Sequence, residues 1–262
     1  MKVKSIIAAS LLMVLGLQTA MAQRVVLYLA GNQVYERNIS QMDSIVFVED
    51  ESTIEDDHEW VDLGLPSGTL WAKCNIGANS PEEYGDYLAW GETTGYKNGK
   101  TTFNWSTYKH CKGSSKTLIK YCYQSNYGYN GFTDILTDIE PEDDAAMVNW
   151  GSNWQIPSWA QFQELINSNY TTTEWTTLNK KNGRMVKSKI NGKSIFLPAA
   201  GVRDESGLKW KDSKGAYWAR SISMDYSPNA CGLNISSTNS GVNLYENYSR
   251  CDGQSVRPVR KK

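Results

Sequence analysis

Five cysteines and two histidines are the groups in this chain that could carry nucleophilic, redox or metal chemistry: Cys74, Cys111, Cys122, Cys231, Cys251, His58 and His110. Cys111 and Cys122 lie across a polar loop, and Cys231 and Cys251 across two late strands. These four are the candidate disulfide partners if the chain is exported. Five is odd, so at least one thiol stays unpaired or pairs with another chain. Cys74, in an apolar strand pattern, is expected to be a buried free thiol. His110 beside Cys111, with Cys122 further on, has zinc-binding residue types, but the fourth ligand of a tetrahedral site is missing nearby. A serine–histidine–acid arrangement would depend on His110, because His58 sits in an acidic run, and no nucleophile elbow accompanies it. The expectation is no catalytic residue, no metal ligand and no cofactor.

Acidic residues gather twice. Seven of the eleven residues of Glu49–Glu59 are acidic, with Ile54 the sole apolar one. Such a run cannot order itself by burial and reads as a linker. A calcium loop on Asp50, Asp56 and Asp57 would need a central glycine and a closing Glu, and has neither. Asp138, Glu140, Glu142, Asp143 and Asp144 surround Pro141 at an expected helix start, where acids complement the helix dipole.

The remaining chemistry is aromatic. The stretch Tyr96–Gly131 is polar and irregular, and long irregular loops are usually functional or mobile. Trp105, Tyr108, Tyr127 and Tyr129 within it are the candidate ligand-binding residues, because aromatic faces stack on sugar rings. Trp71, Trp90, Trp154 and Trp218 sit in strand-like blocks and are expected in the core.

The elements that position these groups read as follows. Val25–Leu29 and Ser44–Val48 are strands of a short β prelude over 23–48. Val61–Leu65 and Thr69–Asn75 form a hairpin around Pro66-Ser67-Gly68. Ser80-Pro81-Glu82-Glu83 marks a short helix start, and Tyr87–Trp90 a strand. Leu118–Tyr121 could be one strand inside the long loop. Pro141–Trp150 and Ser158–Ser168 are helices, the second capped by Ser158 with Gln161 three residues on. Asn191-Gly192 between Val186–Ile190 and Lys193–Leu197 is a hairpin signal, since both turn residues need positive φ. Tyr217–Ser221, Ala230–Ile235 and Ser255–Val259 complete the strands.

Residues 1–22 have the pattern of an export signal: Lys2 and Lys4, an apolar run Ile6–Leu17, and Ala20-Met21-Ala22 before Gln23. The run is too short to span a bilayer, and no other long apolar segment follows. Its removal takes two lysines and leaves 25 basic against 28 acidic side chains. That balance offers no field for nucleic acid. The organisation expected is 1–22 signal, 23–48 prelude, 49–59 linker and 60–262 main domain.

LGLPSGTLWAKCNIGA followed by PEEYGDYLAWGET resembles the opening of the Fibrobacter succinogenes major paralogous domain family. WGSNWQIPSWAQFQELI (Trp150–Ile166), IFLPAAGVRDESG (Ile195–Gly207), AYWARS (Ala216–Ser221), NACGL and SVRPVR follow in that family's order, so the resemblance covers about Trp60–Arg260. It implies an α+β, C-type-lectin-like domain of short antiparallel sheets with two or three helices, the fold also used by formylglycine-generating enzymes. The function expected is an exported, non-catalytic binding or adhesion module, periplasmic, surface-bound or secreted, for an unknown glycan or protein. A structural surface protein or assembly subunit is the alternative. An oxidase of the formylglycine-generating kind would need two adjacent late cysteines to hold copper, whereas Cys231 and Cys251 are twenty positions apart. A calcium-dependent lectin site is not expected either. The chain has Glu140-Pro141-Glu142 and Ser227-Pro228-Asn229 where such a site has Glu-Pro-Asn or Gln-Pro-Asp, and no Trp-Asn-Asp.

Overall fold

The structure, a computed structural model, describes residues 24–29, 32–38, 58–238 and 241–262. The expected signal over 1–22, the strand Ser44–Val48 and most of the acidic linker lie outside the described residues. The chain divides into two compact units, Met1–Ser52 and Thr53–Lys262. The first contains a hairpin of β1 (Arg24–Leu29) and β2 (Asn32–Asn38), paired from Arg24↔Asn38 to Leu29↔Asn32.

The second unit is built of small antiparallel sheets with two short helices. β3 (Trp60–Asp62) and β4 (Leu70–Ala72) form the first hairpin, with Gly68 at φ +71° closing its turn. The expected helix after Ser80 is a turn: Glu83 N–H reaches Ser80 O at 3.2 Å and the ladder stops there. Gly85, at φ +77° two residues on, has no room for a side chain against Ile76 O, and this close approach ends the segment. Tyr87–Trp90 makes one bridge, Leu88 to Gln254, and no full strand.

α1 (Ala145–Trp150) follows a single 3-10 turn at Pro141–Asp143, and Asp144 caps it by accepting from the Ala146 and Met147 N–H groups. α2 (Trp159–Leu165) carries the expected capping box between Ser158 and Gln161. β5 (Thr171–Leu178), β6 (Lys181–Ser188) and β7 (Ser194–Pro198) form one sheet. β8 (Val202–Asp204) and β9 (Gly207–Lys209) make a separate hairpin. β10 (Lys214–Ile222), β11 (Asn229–Ser236) and β12 (Val242–Ser249) form the longest sheet. β13 (Val259–Arg260) returns to pair with β4, so the end of the chain closes on the start of this unit.

Trp71, Trp90, Trp154 and Trp218 are fully buried, as their strand-like settings predict. Two arginines are buried with them. Arg257 donates to Asn75 Oδ1 and to the carbonyls of Ala72, Lys73 and Phe196 at 2.8–3.2 Å. Arg250 donates to Tyr108 Oη and to the carbonyls of Tyr121, Ser227 and Lys120, and lies 4.9 Å from the Trp90 ring centroid. Each guanidinium ties together segments far apart in sequence through carbonyl dipoles, which satisfies a buried charge without a carboxylate.

Candidate functional site

The long loop is folded down by Arg250. Its bond to Tyr108 Oη, and the donation of that hydroxyl to Trp90 O at 2.8 Å, make Tyr108 a buried strut with 3 % of its surface exposed. The expectation of Tyr108 as a surface ligand residue is therefore corrected. Trp105 is half-buried and meets Tyr108 edge-on at 5.5 Å. Tyr127 is half-buried and packs edge-on to Tyr226 at 4.7 Å. Tyr129 is exposed, in a single 3-10 turn. Trp105, Tyr108 and Tyr127 share a hydrophobic cluster with Phe103, Leu118 and Cys251, and Tyr129 stands apart from it.

Neither expected disulfide is formed; all five thiols are free. Cys231 packs with Trp71 and Phe162, whereas Cys251 packs with Phe103 and Tyr108, so the two point into different clusters. Cys111 Sγ donates to Trp105 O at 3.0 Å and Cys122 Sγ to Gln124 O at 3.2 Å, each turned to its own carbonyl. Cys74 is half-buried, not fully enclosed. Burial raises every one of these thiols, Cys231 and Cys251 to about 12.

His110 is also structural. Its Nε2–H donates to Gly91 O at 2.8 Å, and burial lowers its pKa to about 4 against the pull of Asp143 3.7 Å away. Asp143 is itself buried. Burial would raise its pKa, but hydrogen bonds from Lys109, Lys120 and Tyr121 outweigh that and hold it at about 2. Glu140, Glu142 and Asp143 come close enough together to hold a cation. Lys120 Nζ sits among them at 2.5, 3.0 and 2.7 Å, so an ammonium already fills that place.

The arrangement best suited to hold a ligand lies elsewhere, on one face of the β10–β11–β12 sheet. Ala216, Asn234 and Asn243 are paired across the three strands, and Trp218, Gly232 and Tyr245 form the next row. Opposed residues share a face. One end of this face is covered by the cluster around Trp90 and Trp218. The other end is open and forms a cleft of about 300 Å³ lined by Val202, Trp210, Lys214, Asn234, Tyr245 and Tyr248, among others.

A register shift shapes this cleft. Tyr245 pairs with Gly232 and Tyr248 with Ala230, three steps on β12 against two on β11. Residues three apart in a regular strand face opposite ways. The extra residue turns Tyr248 back to the side of Tyr245, which is what bulges do. The two rings meet at 4.6 Å and 65°, and Tyr248 stands edge-on to Trp218 at 5.9 Å. Gly232 leaves room beneath: a Cβ there would sit 3.2 Å from the Tyr248 ring and 2.5 Å from Tyr217 O.

Trp210 supplies the opposing plane. It is 53 % exposed and holds φ +56°, a backbone region that a bulky residue rarely adopts. Its carbonyl accepts from Ser213 N, Lys214 N and Ser213 Oγ at 2.9–3.1 Å, and this turn fixes the strained residue. Lys214 Nζ lies 5.1 Å from the indole centroid. Asn234 Nδ2 donates to Asn243 Oδ1 at 2.9 Å, which leaves Asn234 Oδ1 and spare amide protons for a ligand. The cleft thus offers flat apolar planes beside paired donors and acceptors.

A larger cleft of about 470 Å³, beside Trp159, Met224 and Glu246, has one aromatic ring, and its Ser221 hydroxyl is bound to Asp138 at 2.6 Å. Sequence reading missed the Trp210 cleft. Its signal was Trp210 set among Lys209, Lys211, Asp212 and Lys214, with no apolar neighbour to pack on except Leu208. The shift that aligns Tyr245 with Tyr248 leaves no trace in residue type. The chain matches no family model, no curated protein and no solved structure.

Proposed function

We propose that the second unit is an exported, non-catalytic binding module of the C-type-lectin-like kind, and that it holds a sugar in the Trp210 cleft. The carrying observation is the cleft itself: Trp210, Tyr245 and Tyr248 around a glycine floor, next to the Asn234–Asn243 pair. The C–H faces of a sugar ring pack on aromatic planes, and its hydroxyls need donors and acceptors side by side. Backbone strain at an exposed indole fits the same reading, because strain that does not serve folding gathers at binding sites. The closing of β13 on β4 supports the C-type-lectin-like reading, in which the first and last strands of the domain pair.

A non-catalytic role accords with the histidine and the late thiols. His110 is neutral and enclosed, and Cys231 and Cys251, raised to about 12, supply no thiolate at neutral pH for nucleophilic attack. The test is a glycan array probed with the chain from Gln23 onward and with its Trp210→Ala variant, in calcium and in chelator. Retention of a glycan by the parent in both buffers, and its loss in the variant, is the expected result. Retention by neither protein, or equally by both, would sink the cleft assignment.

A further inference from the structure

The β8–β9 hairpin separates two clefts. Val202 and Trp210 line the one already described, and Arg203, Leu208 and Lys211 line another of about 360 Å³ that also takes in Tyr84, Tyr96, Lys97 and Lys181. The second cleft is cationic and aromatic at once. The Arg203 guanidinium lies 3.4 Å from the Tyr96 ring centroid and 5.0 Å from that of Tyr87. Lys181 and Lys211 stand 4.9 and 5.5 Å from the Tyr84 ring. The carboxylates nearby are already engaged. Glu83 accepts from Asn79 N at 2.9 Å, and Asp212 takes the Tyr84 hydroxyl.

Arg203 is the notable group. Its Nε is buried without a hydrogen-bond partner, and its side chain makes no ion pair among the described residues. Arginine is well suited to grip an oxyanion, because its fork of donors matches two oxygens. Stacking on Tyr96 fixes the fork in place before any ligand arrives, which lowers the ordering cost of binding. Arg250 and Arg257, by contrast, spend their donors on backbone carbonyls. A guanidinium held on a ring with its donors unspent is built to receive an anion.

We propose that this second cleft binds an oxyanion, a carboxylate or sulfate, carried on a sugar ring: Arg203 takes the anion, Lys181 and Lys211 add field, and Tyr84 and Tyr96 flank the ring. The site is separate from the Trp210 cleft and draws on that reading only for the ligand being a sugar.

The test uses nitrogen-labelled protein and follows the Arg203 Nε–H signal by NMR. The probes are glucuronate, glucose and inorganic sulfate, each raised to tens of mM, since a lone monosaccharide is expected to bind at about 1 mM or weaker. Glucuronate should move the Arg203 signal saturably, glucose should not, and Trp210→Ala should leave the response intact. Arg203→Lys should weaken glucuronate about tenfold or more while the rest of the spectrum stays folded. Sulfate binding at least tenfold more weakly than glucuronate identifies the anion as sugar-borne. Sulfate binding as well as glucuronate overturns the sugar part. No movement with either anion, or equal movement with glucose, overturns the site. Loss of array binding with the Arg203 response preserved would mean that the Trp210 reading alone has failed.

Discussion

Trp210 combines a left-handed backbone with a half-exposed indole. Glycine adopts that backbone without strain. Trp210→Gly should therefore leave the melting temperature unchanged or raise it, while glycan affinity falls about tenfold or more, ~1.4 kcal/mol. A variant that melts well below the parent would show that the indole is a packing residue. Buried groups pull the response to acid both ways: His110 and Asp143 weaken the fold as pH falls, whereas Asp252, raised to about 7 by burial, and Asp144, also raised, strengthen it. The folded His110 titrates at about 4, below its ordinary value of 6.5, so the unfolded chain gains a proton first as pH falls. Stability from this group is full above pH 6.5 and is lost down to about pH 4, by roughly 3 kcal/mol. Asp143, held at about 2, adds a further loss from about pH 4 downward. Compared with the parent across pH 7 to 3, denaturant midpoints of His110→Gln should lack the loss between about pH 6.5 and 4. An unchanged slope in that variant would contradict the buried neutral histidine. The core tryptophans and the capping pair Ser158–Gln161 were legible because burial and capping leave local patterns. Tyr108 was not, because its burial depends on Arg250, which lies 142 positions along the chain.

At the scale of elements, the β11–β12 pairing carries the cleft. The first hairpin and both helices were readable from turn chemistry and capping, and so was the hairpin around Asn191-Gly192, although Gly192 alone takes the positive φ expected of both and the ladder ends at Lys187↔Ser194. The strands of β5, β8, β9 and β12 were not. Thr171–Leu178 and Val242–Ser249 are mostly polar and exposed along much of their length, so alternation is weak. Their register comes from neighbouring strands rather than from their own pattern. The extra residue on β12 has a direct consequence. Deleting Asn247, which is exposed, leaves Tyr248 two residues from Tyr245, so regular pairing against Gly232 and Ala230 should keep both rings on one face without the bulge. Circular dichroism should show the sheet retained, and glycan binding should be kept. Loss of binding in a folded deletion variant would contradict the placement of the two rings side by side.

Across the whole molecule, the interior is held by aromatic packing and two buried guanidinium hubs rather than by covalent cross-links. Cysteine counting suggested two disulfides, and the folded arrangement shows why counting misleads here. Sequence separation says nothing about which cluster a thiol enters, and Cys231 and Cys251 enter different ones. Denatured without reductant and alkylated, the protein should take up five alkyl groups, and its melting temperature should not respond to reductant. Uptake of three or one would contradict the free-thiol interior. Among the described residues no helix is long and apolar enough to cross a membrane.

The most direct test of the account is calorimetric titration of the best array glycan into the parent, Trp210→Ala and Trp105→Ala proteins. The cleft on the β10–β11–β12 face predicts a loss of about tenfold or more for Trp210→Ala and a change within about twofold for Trp105→Ala. The reverse pattern, with Trp105 essential and Trp210 dispensable, would return the site to the long loop and contradict the assignment made from the structure.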